Sequence, residues 1–139
     1  MIKLTAIKAT SDQAGLSPRK HQRAIETALG VTSVAALQSL QSATRAWKHK
    51  PGFKIAKGNP TTITTDDDIF FYQDQGTKPH VIRPRKKRAL AWPGGAHPVK
   101  RVNHPGTKAM HYMDKAQQIA QDLLPDEMNR QIARVRGGG

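Results

Sequence analysis

Apolar residues change their spacing three times along this chain. Between residues 17 and 50 they form a helical stripe. Ile25, Leu29, Leu37, Leu40 and Trp47, with Ala24, Ala28, Ala36 and Ala43, recur at steps of three and four. Ser17-Pro18 suits its start, because a serine oxygen accepts from an unpaired first-turn N–H and proline fits the first helical position. Gly30 and the β-branched Val31-Thr32 weaken the middle, so the pattern predicts one bent helix or two. Lys48 and Lys50 fit a last turn, where cations complement the helix dipole, and Pro51-Gly52 ends it.

The texture then becomes β. Residues 53–55 and 61–65 are short β-prone runs around the turn Gly58-Asn59-Pro60. Asp66-Asp67-Asp68 lacks calcium-loop spacing and reads as a solvated turn or a helix N-terminus. Residues 80–83 and 88–92 are expected strands on either side of a basic turn. Residues 99–103 are another, after the loop Pro93-Gly94-Gly95. Near the start, IKLTAIK alternates as a brief strand or an arm would, and residues 12–15 read as a turn.

From Lys108 helical spacing returns with Met110, Met113, Ala116, Ile119, Ala120, Leu123 and Leu124, until Pro125 interrupts. Met128, Ile132 and Val135 continue as a short final helix, and RVRGGG reads as a tail. The expected architecture is α+β: a long N-terminal helix, a small antiparallel β-sheet and a C-terminal helix. The organisation is an arm over 1–16, one domain over 17–124, and a short helix with a flexible basic tail over 125–139.

Composition limits the chemistry. At 139 residues with 37% apolar and 5% aromatic content, a modest core must rest on Ala, Val, Ile and Leu. The absence of cysteine removes disulfides, thiolate metal sites and thiol nucleophiles. No apolar run is long enough to span a membrane and the first residues lack a signal-peptide centre, so the expectation is a soluble intracellular product.

Charge adds the next constraint. The net charge is +13, from 23 basic and 10 acidic side chains, and it is regional. Between Asp74 and Asp114 there is no acid, while Lys78, Arg83, Arg85, Lys86, Lys87, Arg88, Lys100, Arg101 and Lys108 fall in that window. Such a segment attracts polyanions or an acidic protein surface. It also holds His80, His97, His104 and His111, the ingredients of a nuclease, but no carboxylate accompanies them to orient an imidazole or hold a metal. GNP and PGG lack the lysine and hydroxyl of a phosphate-cradling loop. No zinc-finger spacing, aromatic strand motif or helix-turn-helix pattern is present. The expectation is a non-enzyme with no catalytic residues, no metal and no cofactor.

Two stretches carry a more specific signal, YQDQGTKPHVIRPRKKRALAW (72–92) and VNHPGTKAMHYMDKA (102–116). In this order they resemble the small tail-component or tail-completion (neck) proteins of long-tailed bacteriophages. The likeness covers residues 65–116 well and 17–64 in layout only. The chain departs from that pattern in its short stretch between Trp92 and Val99 and in Met110-His111-Tyr112. In this reading Gly76, Thr77, Pro79, His80, His104, Pro105, Gly106 and Thr107 are structural turns: glycine supplies the backbone angles and threonine fixes them. Arg83, Arg85, Lys86, Lys87, Arg88, Lys100 and Arg101 are the residues expected to touch DNA or a partner.

The resemblance implies a virion protein made in the host bacterial cytoplasm and placed at the head–tail junction. Copies would form a ring, six being the candidate number, and meet the neck connector and the tail terminator or tail-tube proteins. Passing phage DNA would be touched without sequence reading, and no membrane is involved. The alternative is a free-standing basic nucleic-acid-binding protein.

Overall fold

The structure is a computed structural model and describes residues 2–3, 15–86, 88–91, 95 and 98–137. Among these it is α+β, in the order β1 (Ile2–Lys3), α1 (Pro18–Ala43), β2 (Lys54–Ala56), β3 (Thr62–Thr65), α2 (Asp68–Gln75), β4 (His80–Ile82), β5 (Val102–His104) and α3 (Tyr112–Gly137).

α1 is one continuous helix. Ser17 caps it, its hydroxyl oxygen accepting from the Lys20 N–H at 3.3 Å, and Pro18 occupies the first turn. Gly30 does not divide it, because Ala24, Ala28, Leu29, Ala36 and Leu40 keep one buried stripe on both sides of the glycine. The helix stops at Ala43, earlier than Pro51-Gly52 suggests. There both the N–H and the hydroxyl of Thr44, the C-cap, donate to the Leu40 carbonyl, at 3.2 and 3.1 Å. Lys50 still serves the helix end, its ammonium donating to the carbonyls of Thr44 and Arg45.

α3 crosses Pro125 without a break, so the final helix expected after the proline is part of the same helix. A mid-helix proline costs about 3 kcal/mol. Here it lies on the exposed side, while Met113, Ala116, Ala120, Met128 and Ile132 continue one buried stripe past it. That continuous packing against α1 outweighs the local loss. Helix also extends through Arg134 and Arg136 to Gly137, and only the last two glycines of the expected tail lie outside the described residues.

Alanines set the spacing of this two-helix layer. Ala28, Ala36, Ala116 and Ala120 are fully buried, so the α1 and α3 backbones can approach closely. Two polar side chains sit inside the α3 face, and both are satisfied: Gln131 donates to Glu127 Oε1 at 2.7 Å, and Arg130 donates to its Oε2 at 3.1 Å.

Three antiparallel strands, ordered β1-β3-β2, add a small sheet, with Ile55 opposite Ile63 and Ile2 opposite Thr65. Ile63 points from it into the core. Phe70 of α2 closes the far side, its ring meeting Phe53, Tyr112 and Trp47 at centroid distances of 5.1, 5.8 and 6.2 Å. These four aromatics gather where the loops after α1 and before β2 meet α2 and α3. β4 and β5 form a separate two-stranded ladder that contributes nothing to the buried cluster.

No helix among the described residues is long and apolar enough to cross a membrane.

Candidate functional site

The acid-free segment becomes an arm held at its root. Gly76 ends α2, its N–H donating to the Tyr72 carbonyl at 2.9 Å, with φ 74° and ψ 169°, a conformation open to glycine and essentially closed to other residues. Immediately afterwards Thr77 and Thr107 pair. The Thr77 N–H donates to the Thr107 carbonyl at 2.9 Å, and the Thr107 N–H donates back at 3.1 Å and also reaches the Thr77 hydroxyl oxygen at 3.0 Å.

Each glycine lies against the other strand. A β-carbon on Gly76 would stand 2.7 Å from the Thr107 carbonyl oxygen and 2.8 Å from the Ala109 nitrogen. One on Gly106 (φ 88°) would strike the Thr77 carbonyl oxygen and stand 2.9 Å from the Lys78 carbonyl carbon. The two Gly-Thr-Lys tripeptides therefore form one clasp.

Asp74 ties that clasp to the body. Buried in the last turn of α2, its carboxylate accepts from the Met113 N–H at 2.9 Å and from the Gln75 amide at 2.6 Å. The carbonyls of Gln73 and Asp74 accept from the N–H groups of Met110 and His111 at 3.0 and 3.1 Å. One turn of α2 thereby satisfies N–H groups that the start of α3 cannot pair within its own helix. His111, with φ 54°, makes the sharp entry.

Beyond the clasp the antiparallel ladder places His80 opposite His104, Val81 opposite Asn103 and Ile82 opposite Val102. The two imidazoles stack, with centroids 4.9 Å apart and planes 29° apart. His80 Nδ1–H donates to the Lys78 carbonyl, two residues back, at 2.7 Å, while His104 Nδ1 accepts from the Gly106 N–H at 3.0 Å. Both Nδ1 atoms are thus committed to backbone turns. Pro79 and Pro105 sit exposed beside them.

The basic run is not the tip of a hairpin formed by residues 80–83 and 88–92, as the sequence suggested. Residues 80–82 pair with 102–104, and Leu90 makes a bridge with Val99, its N–H and carbonyl exchanging bonds at 2.7 and 2.9 Å. The described residues 83–86, 88 and 89 therefore lie between these pairings, opposite only Lys100 and Arg101 of the return strand. Pairing is disfavoured there because Pro84 cannot donate to a ladder and the facing segment carries the like charges of Lys100 and Arg101.

This register brings Arg83, Arg85, Lys86 and Arg88 together with Lys100 and Arg101 on one arm, all exposed. Lys87 and His97 lie outside the described residues, as does Trp92 of the expected second strand. No group of three or more histidine or acidic side chains fit to hold a metal occurs among the described residues.

Sequence reasoning placed the glycines and threonines in turns but missed that the two turns are partners. The signal was available. Gly-Thr-Lys occurs twice, and the two histidines stand three residues inside the two threonines, the symmetry of an antiparallel pair. Asp74, the acid nearest the arm's root, had no local pattern to reveal it. Compared with protein-family models, curated protein sequences and solved structures, the chain gives no match.

Proposed function

We propose that the chain is a virion structural protein of a long-tailed bacteriophage, a tail-completion or neck subunit that joins tail to head connector as part of a ring of copies. The observation that carries this reading is the clasp. The two segments whose order resembles the phage neck proteins are paired through Thr77 and Thr107, thirty residues apart, in one rigid root from which a charged arm extends. Such a unit suits assembly: a small body that positions an exposed surface for neighbours. The partners in this reading are further copies, the adjoining connector, and the tail terminator or tail-tube ring, with non-specific phosphate contact where DNA passes. The test is electron microscopy of particles assembled without the protein. Filled heads and finished tails that fail to join are expected, and normal infectious particles would overturn the proposal.

A second reading, a free-standing nucleic-acid-binding protein, is favoured by the acid-free arm with its exposed guanidinium and ammonium groups. It predicts duplex binding whose logarithm falls with the logarithm of salt by roughly 0.9 per phosphate contact. Replacing Arg85, Lys86, Lys87 and Arg88 by alanine would abolish that binding. Virion assembly that persists with this variant would show that the arm's charge is not an assembly contact.

A further inference from the structure

Two exposed surfaces of opposite character remain unneutralised among the described residues. On α2, Asp68, Phe71, Tyr72 and Gln75 lie at i, i+3, i+4 and i+7, opposite the buried Phe70 and Asp74. Phe71 is 42% and Tyr72 52% exposed, unusual for large apolar side chains side by side, and their ring centroids are 5.7 Å apart. Asp66 is exposed just before the helix. Of the three adjacent acids only Asp67 has an ion-pair partner among the described residues, His49. The arm is the converse. Arg83, Arg85, Lys86, Arg88, Lys100 and Arg101 are exposed and make no ion pair among the described residues.

Their chemistries match. A guanidinium forks onto carboxylates and stacks on aromatic rings, and both receptors stand on the outer face of α2. Among the described residues no ion pair joins the two surfaces within one chain. The arm departs from the C-terminal end of α2 at Gly76, whereas Asp66 and Asp68 stand at the N-terminal end, about 12 Å away at 1.5 Å per residue.

We infer that these surfaces are the two halves of one interface between copies of this chain, the basic arm of one copy docking on the Asp66, Asp68, Phe71 and Tyr72 face of the next. A nucleic acid would neutralise the arm and leave the acidic aromatic face uncovered; a second copy covers both. Docking in one direction is heterologous, and successive contacts then close into a ring or run on as a filament, whereas reciprocal docking closes a two-fold dimer. The inference rests on the head–tail reading only for closure into a ring.

Sedimentation velocity on the purified full chain tests it. The chain is expected to associate in dilute salt and to dissociate near 1 M salt, where the screening length falls to about 3 Å. Asp66→Lys with Asp68→Lys, and separately Arg85→Glu with Lys86→Glu, each weaken association at least about tenfold. Mixing the two variants restores it, since each supplies the surface the other now requires, and that rescue also establishes that both are folded. Tyr72→Ala weakens association with no change in charge.

A chain that stays monomeric in dilute salt overturns the inference, as does a charge variant that associates like the unaltered protein. So does a mixture of variants with normal circular dichroism that remains monomeric. Duplex DNA binding lost with the arm variant, alongside unchanged association of the α2 variant, would assign the arm to a polyanion instead. Because association is read on the isolated chain, its failure is distinct from failure of the neck role, which is read on particles.

Discussion

Thr77 and Thr107, thirty positions apart, exchange backbone hydrogen bonds at 2.9 and 3.1 Å, each following a glycine whose missing side chain lets the other strand approach. This pair converts a long excursion of the chain into an arm with a fixed root. Closing such a loop costs entropy that grows only slowly with its length, so a few well-made bonds near a buried carboxylate suffice to hold it.

Alanine at either glycine tests the clasp. At Gly76 and Gly106 positive φ alone makes a side chain cost about 1–3 kcal/mol, and both sites add a backbone collision. Each variant is expected to lower the unfolding free energy by at least that much in urea titrations. A neutral result at both positions would mean that the root is not closed in solution.

The elements readable from the sequence were those set by local signals. α1 follows from a stripe at helical steps with Ser17-Pro18 before it, and β2 and β3 from β-prone runs around a glycine-proline turn. Where distant contacts decide, the sequence misled. Pro125 reads as a stop, yet a buried stripe spanning it keeps α3 whole. Residues 83–88 read as a turn between two adjacent strands, yet both flanking segments pair with 99–104 instead. Register across such a separation depends on long-range partners that local propensity does not encode. The candidate contact residues were legible because charge is a property of composition; their joint placement was not.

Gly30 offers the opposite outcome to the clasp glycines. It lies within α1, and a β-carbon there would meet nothing within 4 Å. Gly30→Ala removes backbone freedom from the unfolded chain without strain in the folded one, so a gain of roughly 0.5–1 kcal/mol is expected. A higher midpoint in thermal unfolding checks it.

Asp74 is predicted to be the costliest acid to remove. Asp74→Ala leaves the buried Met113 N–H without its partner, a loss of roughly 1–3 kcal/mol, whereas Asp74→Asn keeps an acceptor oxygen and loses less. Hydrogen exchange at the first turn of α3 separates this from general destabilisation: protection at Met113 falls first in the alanine variant. Equal losses in both variants would point to the charge, not the accepted bond.

The last prediction concerns pH. Burial pushes the Asp67 carboxyl up, but the Phe70 N–H, donating at 2.8 Å, together with the His49 imidazole and the Ile69 N–H, holds it below its ordinary value of 3.8. A carboxyl depressed in the folded state binds protons more readily once unfolded. Its contribution is therefore complete above the ordinary value and disappears as pH falls through the lower folded-state value. Asp67→Asn retains a capping oxygen for α2 but removes the titration. Urea unfolding over a series from neutral to acid pH should show the unaltered protein more stable than this variant at neutral pH, with the difference shrinking on acidification. His49→Ala should shrink the same difference, because it removes part of what holds the carboxyl down. A gap between protein and variant that stays constant across the series would assign Asp67 to capping alone.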